Sequence, residues 1–122
     1  MTTIEKTIIS NLLNDEEYLR KVSPHLKVEY FKDRVEALFV QKTLDFFIKY
    51  NEVPNRKTLA IELAKTKPNQ EDSIEISNIL REVNFKTENQ EWLLTETEKF
   101  CKQQAIYGAI LDSCDIIEGK NS

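Results

Sequence analysis

Glycine and proline are scarce in this chain, two and three respectively among 122 residues. Turn-rich architectures such as β-sandwiches call for both at short intervals, so their scarcity favours helices. Histidine occurs once and cysteine twice. These three residues cannot supply the four ligands of a structural zinc site. Cys101 and Cys114, placed on one helix, would be about 20 Å apart, beyond disulfide reach. Both are expected as small core-type residues. No apolar run approaches the length of a membrane span. The stretch from Met1 to Lys6 lacks the basic and apolar regions of a signal peptide. The expected compartment is therefore the cytoplasm, with no membrane partner.

Catalytic signatures are missing too. There is no GxxxxGK[ST] loop, no GxGxxG, no GxSxG elbow and no nucleophile spaced to meet a base. The carboxylate pairs Glu16-Glu17 and Glu71-Asp72 fall at expected helix starts, where negative charge complements the macrodipole. No catalytic, cofactor-binding or metal-ligating residue is expected. A basic stripe for duplex DNA is also lacking: the net charge is −4, with Lys and Arg interleaved among Asp and Glu. A helix-turn-helix over Val53–Val83 would present Glu71, Asp72, Glu75 and Glu82 to the phosphates against a single arginine, Arg81.

What is present suits one small all-α domain. Hydrophobic residues make up 40% of the chain and charged ones 31%, enough for one core. Thr3 can cap a first helix to about Asn14, with Ile4, Ile8 and Leu12 on one stripe. Asp15 opens a short second helix with Tyr18, Leu19 and Val22 inward, stopped by Ser23-Pro24. Lys27 to Phe31 reads as an extended or turn segment whose aromatics pin the loop. The third helix, opened by Asp33 and ending near Tyr50, carries Val35, Leu38, Phe39, Phe46, Phe47 and Tyr50 on one side. Leu44 and Ile48 widen that stripe, which marks the central helix. Asn55 caps a fourth helix anchored by Leu59, Ile61 and Leu63. The fifth, from about Gln70 to Val83, turns Ile76, Ile79, Leu80 and Val83 inward. Expected core residues are thus Ile8, Leu12, Leu38, Phe39, Phe46, Ile76, Ile79 and Leu80, with Leu93 and Phe100 from the last helix.

That last helix is the unusual element. From Gln90 to Glu118 it would be about 43 Å long, whereas a domain of this size is about 35 Å across. Its first half has an ordinary inward face of Leu93, Leu94, Phe100 and Cys101. Its second half is apolar on more than one side. Leu93, Thr97, Phe100, Gln104, Tyr107, Leu111 and Cys114 alternate steps of four and three, as a coiled-coil seam does. Ile106, Ile110 and Ile117 form a second strip beside it. A helix apolar on two sides is buried on two sides. Either the whole helix lies across its own bundle, or its far half meets another chain. The second reading assigns an oligomer interface to Gln104, Ile106, Tyr107, Ile110, Leu111, Cys114 and Ile117. It implies a dimer or larger assembly, with residues 1–88 as the globular body and 89–122 as the projecting helix.

Three segments carry a family resemblance: "SNLLNDEEYLRKVSPHLKVEYF" (Ser10–Phe31), "YNEVPNRKTL" (Tyr50–Leu59) and "EWLLTETEKFCKQQA" (Glu91–Ala105). In order and spacing the chain resembles the N-terminal domain of the replicative DNA helicases of T-even-type phages, distant relatives of the bacterial DnaB helicases. The resemblance implies a parent hexamer that unwinds DNA 5′ to 3′ along a single strand. Mg-NTP would be used by a separate RecA-like motor placed after this region, so this chain would not be an enzyme. It also implies a collar in which the long helix is the first arm of a hairpin, a contribution to subunit association and docking of primase or a helicase loader. Single-stranded DNA would be met only through the motor, in the cytoplasm of an infected bacterium. The alternative is a standalone small phage protein that binds and regulates a host protein through the same helix.

Overall fold

The computed structural model describes residues 3–83 and 88–117, with only the helical backbone described for 115–117. Among the described residues six α-helices follow one another: α1 (Ile4–Asn14), α2 (Glu16–Val22), α3 (Arg34–Tyr50), α4 (Arg56–Ala64), α5 (Gln70–Glu82) and α6 (Gln90–Ile117). A 3₁₀ turn, Val28–Tyr30, precedes α3. No strand occurs among the described residues. The class is all-α, as the scarcity of turn residues implied.

Each helix begins where a short polar side chain can accept a free backbone N–H. Thr3 accepts from Lys6 N at 3.2 Å, Asp15 from Tyr18 N at 3.1 Å and Asp33 from Val35 N at 2.8 Å. Asn55 accepts from Thr58 N at 2.7 Å, Asn69 from Asp72 N at 2.8 Å and Asn89 from Trp92 N at 2.9 Å. Such caps each stabilise a helix by about 1 kcal/mol. The helix ends show what scarce glycine costs. Asn51 closes α3 at φ 57° and Lys67 follows α4 at φ 53°. Asn tolerates this left-handed region, while Lys there is strained.

α3 is the central helix, packed by α1, α4, α5 and the 3₁₀ turn, and α6 lies against α1, α2 and the turn. Ile8, Ile9, Leu12, Tyr18, Leu19, Phe39, Val40, Leu59, Leu63 and Leu93 are essentially excluded from water. Phe31 stacks on Phe100 at 5.3 Å between ring centroids, so the turn is pinned to α6. Asn11 and Asn14, one turn apart on α1, clamp the approach to α6. The Glu88 N–H donates to Asn11 Oδ1 at 3.2 Å, and Asn14 Nδ2 donates to the Val83 carbonyl at 2.5 Å.

Four sequence expectations fail. Ile48, Tyr50 and Ile61, placed inward from the periodicity, are exposed. Phe46, expected in the core, is half-buried, lies outside the apolar cluster and stacks on Tyr50 instead. The cause is a stripe too broad for the available neighbours: α4 is only nine residues long and covers one flank of α3. Leu38 and Leu80 are half-buried and pack on the rim of the core.

One ionisable pair joins α3 to α5. A hydrogen bond between the Asp33 and Glu75 carboxyls, with burial and the Asp33 charge adding to it, pushes Glu75 up to about 7. Burial acts to raise Asp33, but the hydrogen bonds from Glu75 and from the Val35 and Glu36 amides outweigh it and hold Asp33 below its usual range. An unfolded Glu75 would release its proton near 4.5. Its contribution is therefore fully present below that pH and lost as the pH rises through about 7. The share from Asp33 has the opposite sense and is lost in acid. Glu75→Gln keeps a hydrogen-bond donor and cannot ionise. After allowance for solvent screening it should stabilise the domain by about 1 kcal/mol at pH 8, roughly 4 °C in melting temperature, and leave it unchanged at pH 4.5. Calorimetric melts at both pH values test this; equal shifts at both would mean that the pair does not share a proton.

Candidate interaction surface

The long helix starts as part of the body. Leu93, Thr97 and Phe100 are buried, facing α1, α2 and the 3₁₀ turn. The Tyr18 phenol and the Thr97 hydroxyl share a buried hydrogen bond of 2.6 Å, and burial pushes that phenol above its ordinary range. Cys101 is half-buried, and burial pushes its thiol up, away from the thiolate form. The first half of the coiled-coil seam is thus covered by the chain's own side chains.

Past Gln104, which is half-buried, the cover thins. Ile106 is 61% exposed, Tyr107 47%, Ile110 55% and Leu111 46%. Cys114 is exposed as well, so it is not the core residue expected. The side chain of Ile117 lies outside the described residues. The nearest part of the body is the turn region. Lys32 Nζ sits 4.4 Å over the Tyr107 ring, and Lys27, Glu29 and Tyr30 face Gln104 to Asp112 across a shallow groove. Around the helix axis, Leu111 and Tyr107 continue the seam while Ile106 and Ile110 are turned roughly 100° from it. The apolar surface is therefore wider than one helix covers.

Gly108 lines the same shallow groove, yet an added Cβ would meet nothing within 4 Å. The body does not require a glycine there. Gly108→Ala should strengthen this stretch of helix by about 0.5–1 kcal/mol, seen as higher helicity and later melting of the far half by circular dichroism. Weaker self-association without that gain would show that a partner approaches closely at this position.

A groove of 480 Å³ between the end of α2 and α6 was not legible in the sequence. Its lining includes Val22, Tyr30, Leu94, Cys101 and Ala105, with Lys21, His25 and Lys102 at its edges. Its lining joins α2, the segment after it and α6, residues far apart in the chain that no periodicity brings together. No cluster of three metal-ligating side chains and no helix long and apolar enough to cross a membrane occurs among the described residues.

A helical body whose last helix keeps an exposed apolar strip in its far half defines a small all-α domain. Over 102 residues the chain is 26% identical to a DnaB-like replicative helicase of Enterobacteria phage T4. That match spans 84% of this chain and 22% of the relative, so the chain corresponds to about a fifth of the relative's length. No protein-family model matches the sequence.

Proposed function

We propose that this chain is an assembly domain of a replicative DNA helicase, joining subunits through the far half of α6 and presenting the helical body to primase or a loader. The distant similarity to a phage replicative helicase supports the setting. The exposed strip Ile106, Tyr107, Ile110 and Leu111 is the observation that carries the assembly role. The occupant is a second copy, whose own strip is equally uncovered. NTP hydrolysis belongs to a motor domain outside these residues, and DNA unwinding follows from that motor.

The magnitudes bound the strength of the contact. Fully burying a large apolar side chain is worth about 1.5–3 kcal/mol, and these four are about half exposed. A symmetric pair therefore gains about 6–12 kcal/mol before costs. Lost rotational and translational freedom opposes this by about 4–15 kcal/mol. The isolated domain should then associate with a Kd between roughly micromolar and millimolar. Sedimentation equilibrium across that range tests the reading, and a strictly monomeric chain at about 1 mM would overturn it.

A further inference from the structure

The Phe46–Tyr50 pair lies in the last turns of α3, and none of its described ring contacts involves the long helix's apolar strip. The two rings meet at 4.6 Å between centroids with a tilt of 45°. Neither serves the core: Phe46 is outside the apolar cluster and Tyr50 is 54% exposed. Cations surround them. Lys49 Nζ stands 5.2 Å over the Tyr50 ring. Across the gap on α4, Lys65 pairs with Glu62, and the charges of Lys42 and Lys49 also act on that carboxylate. Three lysines from two helices thus converge beside one glutamate and two aromatic faces. Between Gln41 and Asn69 the chain carries six cations against three anions, in a protein with four more anions than cations overall. The acidic net charge conceals a basic edge.

The geometry points to this α3–α4 edge as a contact for single-stranded DNA. Bases stack on the Tyr50 face, which Phe46 holds in place from beneath, and phosphates run past Lys42, Lys49 and Lys65. An exposed aromatic accepts any base, because every base has a π face, and flexible lysines neutralise a backbone as point charges. Paired bases present no free face, so a duplex is disfavoured. An acidic protein segment would instead be gripped best by arginine forks, and this edge has lysines. The choice of DNA over RNA rests on the helicase reading; the stacking and charge argument does not. The contact uses none of the α6 strip residues, so assembly and strand contact draw on different side chains.

Fluorescence anisotropy with a labelled oligothymidylate of about 15 nucleotides, at low salt, tests the inference. Binding should weaken with salt at a log–log slope of about −2, from three phosphate contacts at about −0.7 each. Tyr50→Ala should weaken binding at least fivefold, about 1 kcal/mol, while Tyr50→Phe retains it. Lys49→Glu with Lys65→Glu should remove it. All three positions have exposed side chains, and a circular-dichroism melt checks that each variant remains folded. No binding by the wild-type chain, or equal binding by Tyr50→Ala, would overturn the inference. Displacement of the oligonucleotide by a glutamate-rich peptide at equal concentration would overturn it in favour of a protein partner. Tighter binding to oligouridylate would overturn the assignment to DNA. Sedimentation of the same samples separates the two claims: self-association without DNA binding leaves the assembly role standing and removes this one.

Discussion

Replacing Ile110 and Leu111 together with aspartate should abolish self-association and leave the helical body folded. Both side chains are about half exposed on α6, past the last residue held by the body. In the free chain the new carboxylates remain in water, so little is lost beyond helix propensity, about 0.5 kcal/mol per site. In a paired state each carboxylate would be buried without a partner, which costs several kcal/mol. That exceeds the whole net free energy of a weak contact. Sedimentation should show monomer at every concentration where the wild type associates, and circular dichroism should show nearly unchanged helicity and melting of the body. Ile110→Lys with Leu111→Lys should give the same loss, since apolar burial and not charge sign holds the pair. A variant that unfolds, or one that still associates, would place this strip in the core or the interface elsewhere.

The second large effect compares two leucines on one seam. Leu93→Ala removes a fully buried side chain, and the cavity should cost about 2–5 kcal/mol. Against a total stability of about 5–15 kcal/mol, that lowers the melting temperature by roughly 10 °C or more. Leu111→Ala, eighteen residues further along the same stripe, should change body stability by less than about 0.5 kcal/mol at concentrations where the chain is monomeric. Its effect should appear as weaker self-association. Melting curves of the two variants at low micromolar concentration decide the matter, and comparable losses at both sites would mean that the far half of α6 packs on its own body.

Helix starts were the most legible feature. Thr3, Asp15, Asp33 and Asn55 act locally, through hydrogen bonds to amides two or three residues away, and the order of residues alone specifies them. The buried faces of α1, α2 and α5 were legible for a similar reason: their stripes are narrow, so periodicity alone marks the side that turns inward. The α3 stripe was not, because eight apolar residues spread over a wide arc say nothing about how far the neighbouring helices cover them. Phe46 and Tyr50 were read inward, yet Phe46 is half-buried outside the apolar cluster and Tyr50 is exposed, because the α4 end beside them presents Glu62 and Lys65 and no apolar cover. Even the basic edge was hidden by an acidic total, since Lys42, Lys49 and Lys65 are scattered in sequence and meet only when α3 and α4 pack.

By itself the sequence determined an all-α chain, the places where its helices begin, most of its core, and a last helix with apolar residues on two sides. Local capping and helical periodicity are short-range effects, so they survive without knowledge of the fold. Only the tertiary structure decided where cover on α6 ends, near Gln104, and which aromatics stay in water. Burial depends on how far neighbouring elements extend in space, and that is set by packing among residues distant in the chain.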